Sequence, residues 1–174
     1  MKKLLSMLMM GFGLVSIFVN TGYSQNIVSG VSDEQFTRTS DEIIHKNSIN
    51  VADVSLKAVR HFEKSFKEVE HVNWYKVKGG FMVYFYQEGL KKISGYSDNG
   101  KWLYAFFSYG EGKLPRPVWH EVKAVYYAYS IVLVNEIQTA TKTIYIVHLE
   151  DDTTYKNVRI CNDEMTEIQE MKKK

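Results

Sequence analysis

The chain has 174 residues, 22 of them Lys or Arg and 20 Asp or Glu, with one cysteine, Cys161. Lys2 and Lys3 lie in a segment read below as a leader; 22 less these two leaves 20, so the remainder is formally neutral. Neutrality argues against a nucleic-acid partner, which calls for a basic patch. A lone cysteine excludes an internal disulfide, so the core must hold by burial.

In chain order, Met1-Lys2-Lys3 is a short basic region and Leu4 to Val19 is apolar. Gly22-Tyr23-Ser24 places small residues where a signal peptidase reads. This predicts a secretory signal peptide over 1–24, cleaved after Ser24, and a periplasmic protein. The rival reading is a single membrane-spanning helix. The apolar run falls short of the ~20 residues a span needs, and no basic stop-transfer cluster follows, so no stable membrane span is expected after cleavage. No cysteine stands at the cleavage site, which argues against a lipid anchor. Residues 25–50 are rich in Ser, Thr, Asn and Asp without a sustained period, and read as a flexible leader.

Structure is expected from Asp53. In DVSLKAVRHFEKSFKEVEHV, Val59, Phe62, Phe66 and Val69 recur at helical spacing, with Asp53 or Ser55 as the cap. Strands are expected at Val72 to Val77, Phe81 to Tyr86, Leu90 to Tyr96 and Lys101 to Tyr109. Gly79-Gly80 and Asp98-Asn99-Gly100 supply turns, because Asn and Gly tolerate positive φ. The order then recurs. Pro117 opens a second helix with Val118, Val122, Val125 and Tyr129 on its apolar face. Strands follow at Ile131 to Gln138, Thr143 to Leu149, Tyr155 to Cys161 and Thr166 to Met171. The expected class is α+β: a tandem αβ4 repeat, 51–110 and 111–174, forming a curved antiparallel sheet with two helices on one face.

The stretch GGFMVYFYQEG, 79–89, sets the functional question. Phe81, Val83 and Phe85 point one way, and Met82, Tyr84 and Tyr86 the other, so both faces are apolar. An antiparallel sheet with a wet face should read polar on that face. Of the chain's 24 aromatic residues, 18 lie between His61 and Ser130. Alternation alone puts either Phe81 and Phe85 or Tyr84 and Tyr86 on the open face. In the fourth strand it groups Trp102, Tyr104 and Phe106 against Leu103, Phe107 and Tyr109. Exposed apolar area marks an interface, and Tyr and Trp are enriched at binding hot spots. The candidate binding residues are Tyr84, Tyr86, Trp102, Tyr104 and Tyr109; for Trp74 and Trp102 a packing role is weighed against a binding one.

FEKSFKEVEHVNW, GGFMVYF, SDNGKWLY and KLPRPV, taken in order, resemble the periplasmic PepSY-like, beta-lactamase-inhibitor-like (BLIP-like) proteins of Bacteroidetes. The resemblance spans about Val51 to Met171. It implies two αβ4 units in one curved sheet whose concave side grips a partner. Those inhibitors carry a disulfide in each repeat and this chain has none, so what carries over is the architecture and a binding face.

Catalytic patterns are missing from the sequence. There is no G-x-S-x-G elbow, and Gly110-Glu111-Gly112-Lys113 lacks the length and final Ser or Thr of a phosphate loop. His45, His61, His71, His120 and His148 form no H-E-x-x-H; His120-Glu121 begins one, but Ala124 ends it. Glu150-Asp151-Asp152 reads as a solvated turn rather than a calcium loop, and Cys161 as a small buried hydrophobe rather than a reactive thiol. No cofactor, metal or catalytic residue is assigned. The reading is a secreted, non-catalytic binding protein taking an unknown protein or peptide on its concave aromatic face. A small-ligand or sensory envelope protein is the alternative, and a homodimer seam would present the same face.

Overall fold

The computed structural model describes residues 48–174. The signal peptide expected over 1–24, and the leader up to residue 47, lie outside the described residues. Helix α1 (Leu56–Ser65) is followed by β1 (Val69–Val77), β2 (Gly80–Gln87), β3 (Leu90–Ser97) and β4 (Trp102–Tyr109). Helix α2 (Arg116–Val125) is followed by β5 (Ser130–Gln138), β6 (Thr143–Glu150), β7 (Thr154–Cys161) and β8 (Glu164–Lys172). One 3-10 turn precedes each helix, at Val51–Asp53 and Glu111–Lys113. The eight strands form a single antiparallel sheet in sequence order, an α+β architecture. Every strand link is a hairpin except the one from β4 to β5, which carries α2.

Register assigns the faces. In β2, Phe81, Val83 and Phe85 are buried, while Met82, Tyr84 and Tyr86 are half-buried. Phe62 of α1 meets Phe85 edge-on at 5.0 Å and Trp74 at 5.5 Å. The first set therefore faces the helix. Following the ladders, Val83 pairs with Ser94, Ser94 with Ala105, and Lys92 with Phe107. Tyr109 then pairs with Val134, Val134 with Val147, and Val147 with Val158. Ala105, Phe107, Tyr109, Val134, Val147 and Val158 share a core cluster with Val122 of α2. Both helices thus lie on one face. Fully buried side chains such as Val83, Phe85, Val122 and Val134 each contribute about 1.5–3 kcal/mol against exposure.

Two expectations about local structure are corrected. The helical spacing ran on to Val69, but α1 stops at Ser65. The N–H of Phe66 caps onto the Phe62 carbonyl at 2.9 Å, the chain turns through Glu68 at φ 52°, and Val69 opens β1. Phe66 still packs on Phe62 and Phe85, at 5.4 and 4.8 Å, so its apolar spacing serves the same core from a non-helical backbone. In α2, Val118 and Val122 pack inward, whereas Val125 is 57% exposed and Tyr129 lies beyond the helix. Ser55 occupies the N-cap of α1 without a side-chain bond, and Asn50 caps the preceding turn, its Oδ1 accepting from the Ala52 N–H at 2.9 Å.

The second correction concerns β4. A bulge shifts the β3–β4 register: Gly95 pairs with Tyr104, but Tyr96 pairs with Trp102, leaving Leu103 over. A bulge places two consecutive residues against one, so the alternation resets there. Trp102 joins the helix side, where it stacks on His61 at 5.6 Å. Tyr104 and Phe106 stay on the opposite face, and Ala105, Phe107 and Tyr109 face the helices.

Turn chemistry follows the sequence. Asn162 and Asp163, at φ 54° and 58°, make a two-residue loop with both residues left-handed, as a hairpin twist requires. Gly80 is needed for another reason: a Cβ there would stand 1.8 Å from the Tyr96 carbonyl oxygen.

Candidate functional site

No described helix lies on the face opposite α1 and α2. Register places one continuous row across it: Asn73 pairs with Tyr84, Tyr84 with Ile93, Ile93 with Phe106, Phe106 with Ile137, and Ile137 with Ile144. Five apolar or aromatic side chains, Tyr84 to Ile144, therefore cross β2 to β6 without a formal charge. At the 4.7–4.9 Å strand spacing the row is roughly 19 Å long. Tyr84, Ile93, Phe106 and Ile137 are half-buried, and Ile144 at the end of the row is buried, 5% exposed.

A second aromatic row lies beside it. Tyr75 meets Tyr84 edge-on at 5.3 Å. The Tyr104 ring covers Gly95, where an added Cβ would stand 2.4 Å from it. The missing side chain on β3 is what lets this ring lie flat. Lys91 Nζ sits 5.7 Å above the Tyr84 ring, and Tyr86 meets His71 edge-on at 5.8 Å. Burial raises the Tyr84 phenol above its ordinary value, with the Tyr104 and Tyr75 phenols adding to it, and burial raises Tyr104 likewise. These hydroxyls are neutral donors at physiological pH.

The same face carries a polar line further along. Ser108 Oγ donates to Asn135 Oδ1 at 2.6 Å, and Asn135 Nδ2 lies 2.8 Å from His148 Nε2. Asn157 pairs directly with His148, and its Nδ2 donates to Gln169 Oε1 at 2.7 Å. The face thus carries an apolar row from β2 to β6 and, beside it, an amide and imidazole line from the end of β4 to β8.

Of the residues singled out in the sequence, Tyr84, Tyr86 and Tyr104 come together here. Trp102 and Tyr109 do not. Trp102 Nε1 donates to Ser94 Oγ at 3.0 Å on the helix side. Tyr109 is buried in the core, its hydroxyl donating to Glu136 Oε2 at 2.5 Å. Burial and the Glu136 carboxylate push that phenol far up. Tyr75, Ile93, Ile137, Ile144 and the polar line were not legible as site residues. Each sits in an ordinary alternating strand, and only strand pairing lines them up. Cys161 is buried. The carboxylate of Asp151 is taken up by its own turn, accepting from the N–H groups of Thr153 and Thr154 at 2.7 and 2.6 Å. These bonds hold it well below the usual carboxylate range. Among the described residues no helix is long and apolar enough to cross a membrane.

No family model and no curated protein matches the chain. Solved structures do. A DUF2874 family protein from Bacteroides ovatus ATCC 8483 is 14% identical with a TM-score of 0.53, covering 68% of this chain and 87% of its own. A BLIP-like protein from Bacteroides fragilis NCTC 9343 is 14% identical with a TM-score of 0.54, covering 68% and 86%. A candidate periplasmic protein from Bacteroides eggerthii DSM 20697 is 10% identical with a TM-score of 0.52, covering 68% and 88%. At such identities the likeness is one of fold, and the chain shares the fold of the DUF2874 and BLIP-like proteins of Bacteroides.

Proposed function

We propose that this chain is a non-catalytic binding protein of the periplasm that takes a protein or peptide on its open sheet face. The row Tyr84–Ile93–Phe106–Ile137–Ile144 carries the reading. It is uncharged and apolar on a face that no described helix covers, where a wet antiparallel sheet reads polar. Tyr84 and Tyr104 add rings with polar tips, the side chains best suited to a half-wet contact. The leader-like N-terminus supports export, and the fold shared with a candidate periplasmic protein and a BLIP-like protein supports both compartment and role. The matching succession of one helix and four strands in each half supports a duplicated αβ4 unit as its origin.

The test is capture from a periplasmic extract of the source cells by the chain from residue 25 onward, beside a Tyr84→Ser/Tyr86→Ser variant that still melts cooperatively well above the capture temperature. The expected result is a partner that binds the native face, rebinds when purified, and is lost with the variant. If nothing is retained and the native chain sediments as a dimer that the variant dissociates, the face is a self-association seam and the binding role fails.

A further inference from the structure

The polar line on the open face contains one group that titrates near neutral pH, and its hydrogen bonds run in one direction. Ser108 donates to Asn135 Oδ1, which leaves Asn135 Nδ2 as the group facing His148 Nε2. An imidazole nitrogen facing an N–H donor must be unprotonated, so the ring proton sits on Nδ1. Asn157, directly opposite, presents its side-chain amide to the ring. Its Nδ2 donates to Gln169 Oε1, which leaves Oδ1 as the group it can offer the ring. With the Asn135 amide in this orientation, the line from Ser108 on β4 to His148 on β6 fits an imidazole unprotonated at Nε2.

We propose that His148 is a proton switch built into the open face, and that protonation of its Nε2 turns the Asn135 carboxamide round and frees the Ser108 hydroxyl from its acceptor, Asn135 Oδ1. A proton taken from solvent onto Nε2 makes that nitrogen a donor, and Asn135 Nδ2 can no longer face it. Rotation of the amide brings Oδ1 to accept from Nε2–H and Nδ2 to donate to Ser108 Oγ. The Ser108 hydroxyl then loses Asn135 Oδ1 as its acceptor and turns outward. One protonation on β6 thus changes the hydrogen-bonding character of β4, two strands away and next to Phe106 in the apolar row.

The groups around the ring leave it neutral at rest. On β6, Glu150 lies two residues along the same face and is engaged by Lys173 Nζ at 2.5 Å. On β7 the same face carries Arg159 and Tyr155, either side of Asn157. On β5 it carries Leu133 and Asn135, neither charged. No carboxylate is among the ring's hydrogen-bond partners, so burial dominates and pulls the imidazole below its ordinary 6.5. A lowered folded value means the unfolded chain binds the proton more readily. The contribution to stability is therefore complete above pH 6.5 and declines as pH falls below it.

The switch belongs to the face itself and is measured without a ligand. The experiment is a nitrogen-15 NMR titration of the native chain from about pH 8 to about pH 5, a range that brackets an ordinary imidazole. A His61→Gln background removes a second imidazole that burial lowers. The expected result has three parts: an unprotonated Nε2 at the alkaline end, a His148 midpoint below 6.5, and Asn135 side-chain amide signals that move with that midpoint. In His148→Gln the Asn135 signals should no longer respond over this range. An Nε2–H tautomer at the alkaline end, a midpoint at or above 6.5, or Asn135 signals that stay still through the His148 transition would each overturn the proposal. All three are read in the native chain, and the His61→Gln background serves only to assign the imidazole signals, so the result does not hang on a variant folding.

Discussion

Tyr84 and Phe85 are adjacent in sequence and opposite in role. Phe85 is 0% exposed and touches Phe62 and Phe66 of the α1 segment. Tyr84 is half-buried among Tyr75, Tyr104 and Lys91 on the far face. Phe85→Ala should cost about 3–5 kcal/mol, the range for emptying an aromatic core site. Tyr84→Ser should cost about 1–2 kcal/mol, since it opens no closed cavity. Thermal melts of both variants check this, and equal losses would make Tyr84 a core residue. Gly80 is a sharper case, because the atom in the way is backbone. Its added Cβ would meet the Tyr96 carbonyl oxygen, and β2 cannot shift without losing its pairing with β3. Gly80→Ala should therefore lie at the upper end of overpacking losses, ~3 kcal/mol or more. A variant that melts with the native chain would show that the hairpin gives way freely.

At the scale of elements, α1 is fixed to the sheet by aromatic contact and one polar cluster. His61 Nδ1 lies 3.2 Å from Tyr96 Oη, and the ring stacks on Trp102 at 5.6 Å. Burial, then the charge of Lys64, lowers the imidazole from 6.5, and burial pushes the Tyr96 phenol up to about 12. Tyr96 therefore keeps its proton, and His61 is packed in its neutral form. Because the folded value is lowered, the unfolded chain takes up the proton first as pH falls. The stabilisation is complete above 6.5 and is lost progressively below it. The melting temperature should drop between about pH 7 and about pH 5, and the drop should be smaller in His61→Gln. Melts of the two chains across that range decide it; parallel curves would show that His61 carries no proton linkage.

For the whole molecule, β4 is the pivotal strand. Its hairpin joins it to β3, yet Ala105, Phe107 and Tyr109 belong to the core cluster of Val122, Val134, Val147 and Val158. Trp102 packs against both core clusters. The β4–β5 ladder that joins the halves has five pairs, from Ala105↔Gln138 to Tyr109↔Val134. A fragment of residues 48–110 would expose that row of β4, along with its free edge. It should show no cooperative melt on its own, and adding 111–174 should restore one. Circular dichroism of the separate and mixed fragments is the measurement. A cooperative transition in the first fragment alone would make each half a self-sufficient domain.

The order of helix and strands, the hairpin turns and most strand limits were legible in the sequence, because they depend on local period and on turn residues such as Asn162 and Gly100. The α+β class followed from that order. What local pattern could not decide was which side of each strand faces the helices. In β2 both sides are apolar, so alternation defines two sets but does not choose between them; Phe62 and Phe66 on the α1 side choose. In β4 the bulge at Leu103 moved Trp102 to the core side and kept Tyr104 on the open face, and nothing in WLYAFF signals it. The helix end at Ser65 was hidden because Phe66 and Val69 keep helical spacing after the backbone has left the helix. The apolar row and the line through His148 depend on strand pairing, since Ser108 and Gln169 meet only through three intervening strands. Sequence by itself therefore determined the elements and their succession, which are short-range properties of the chain. The face, the row and the proton-sensitive line were decided by tertiary pairing, because register alone brings residues distant in sequence onto one surface.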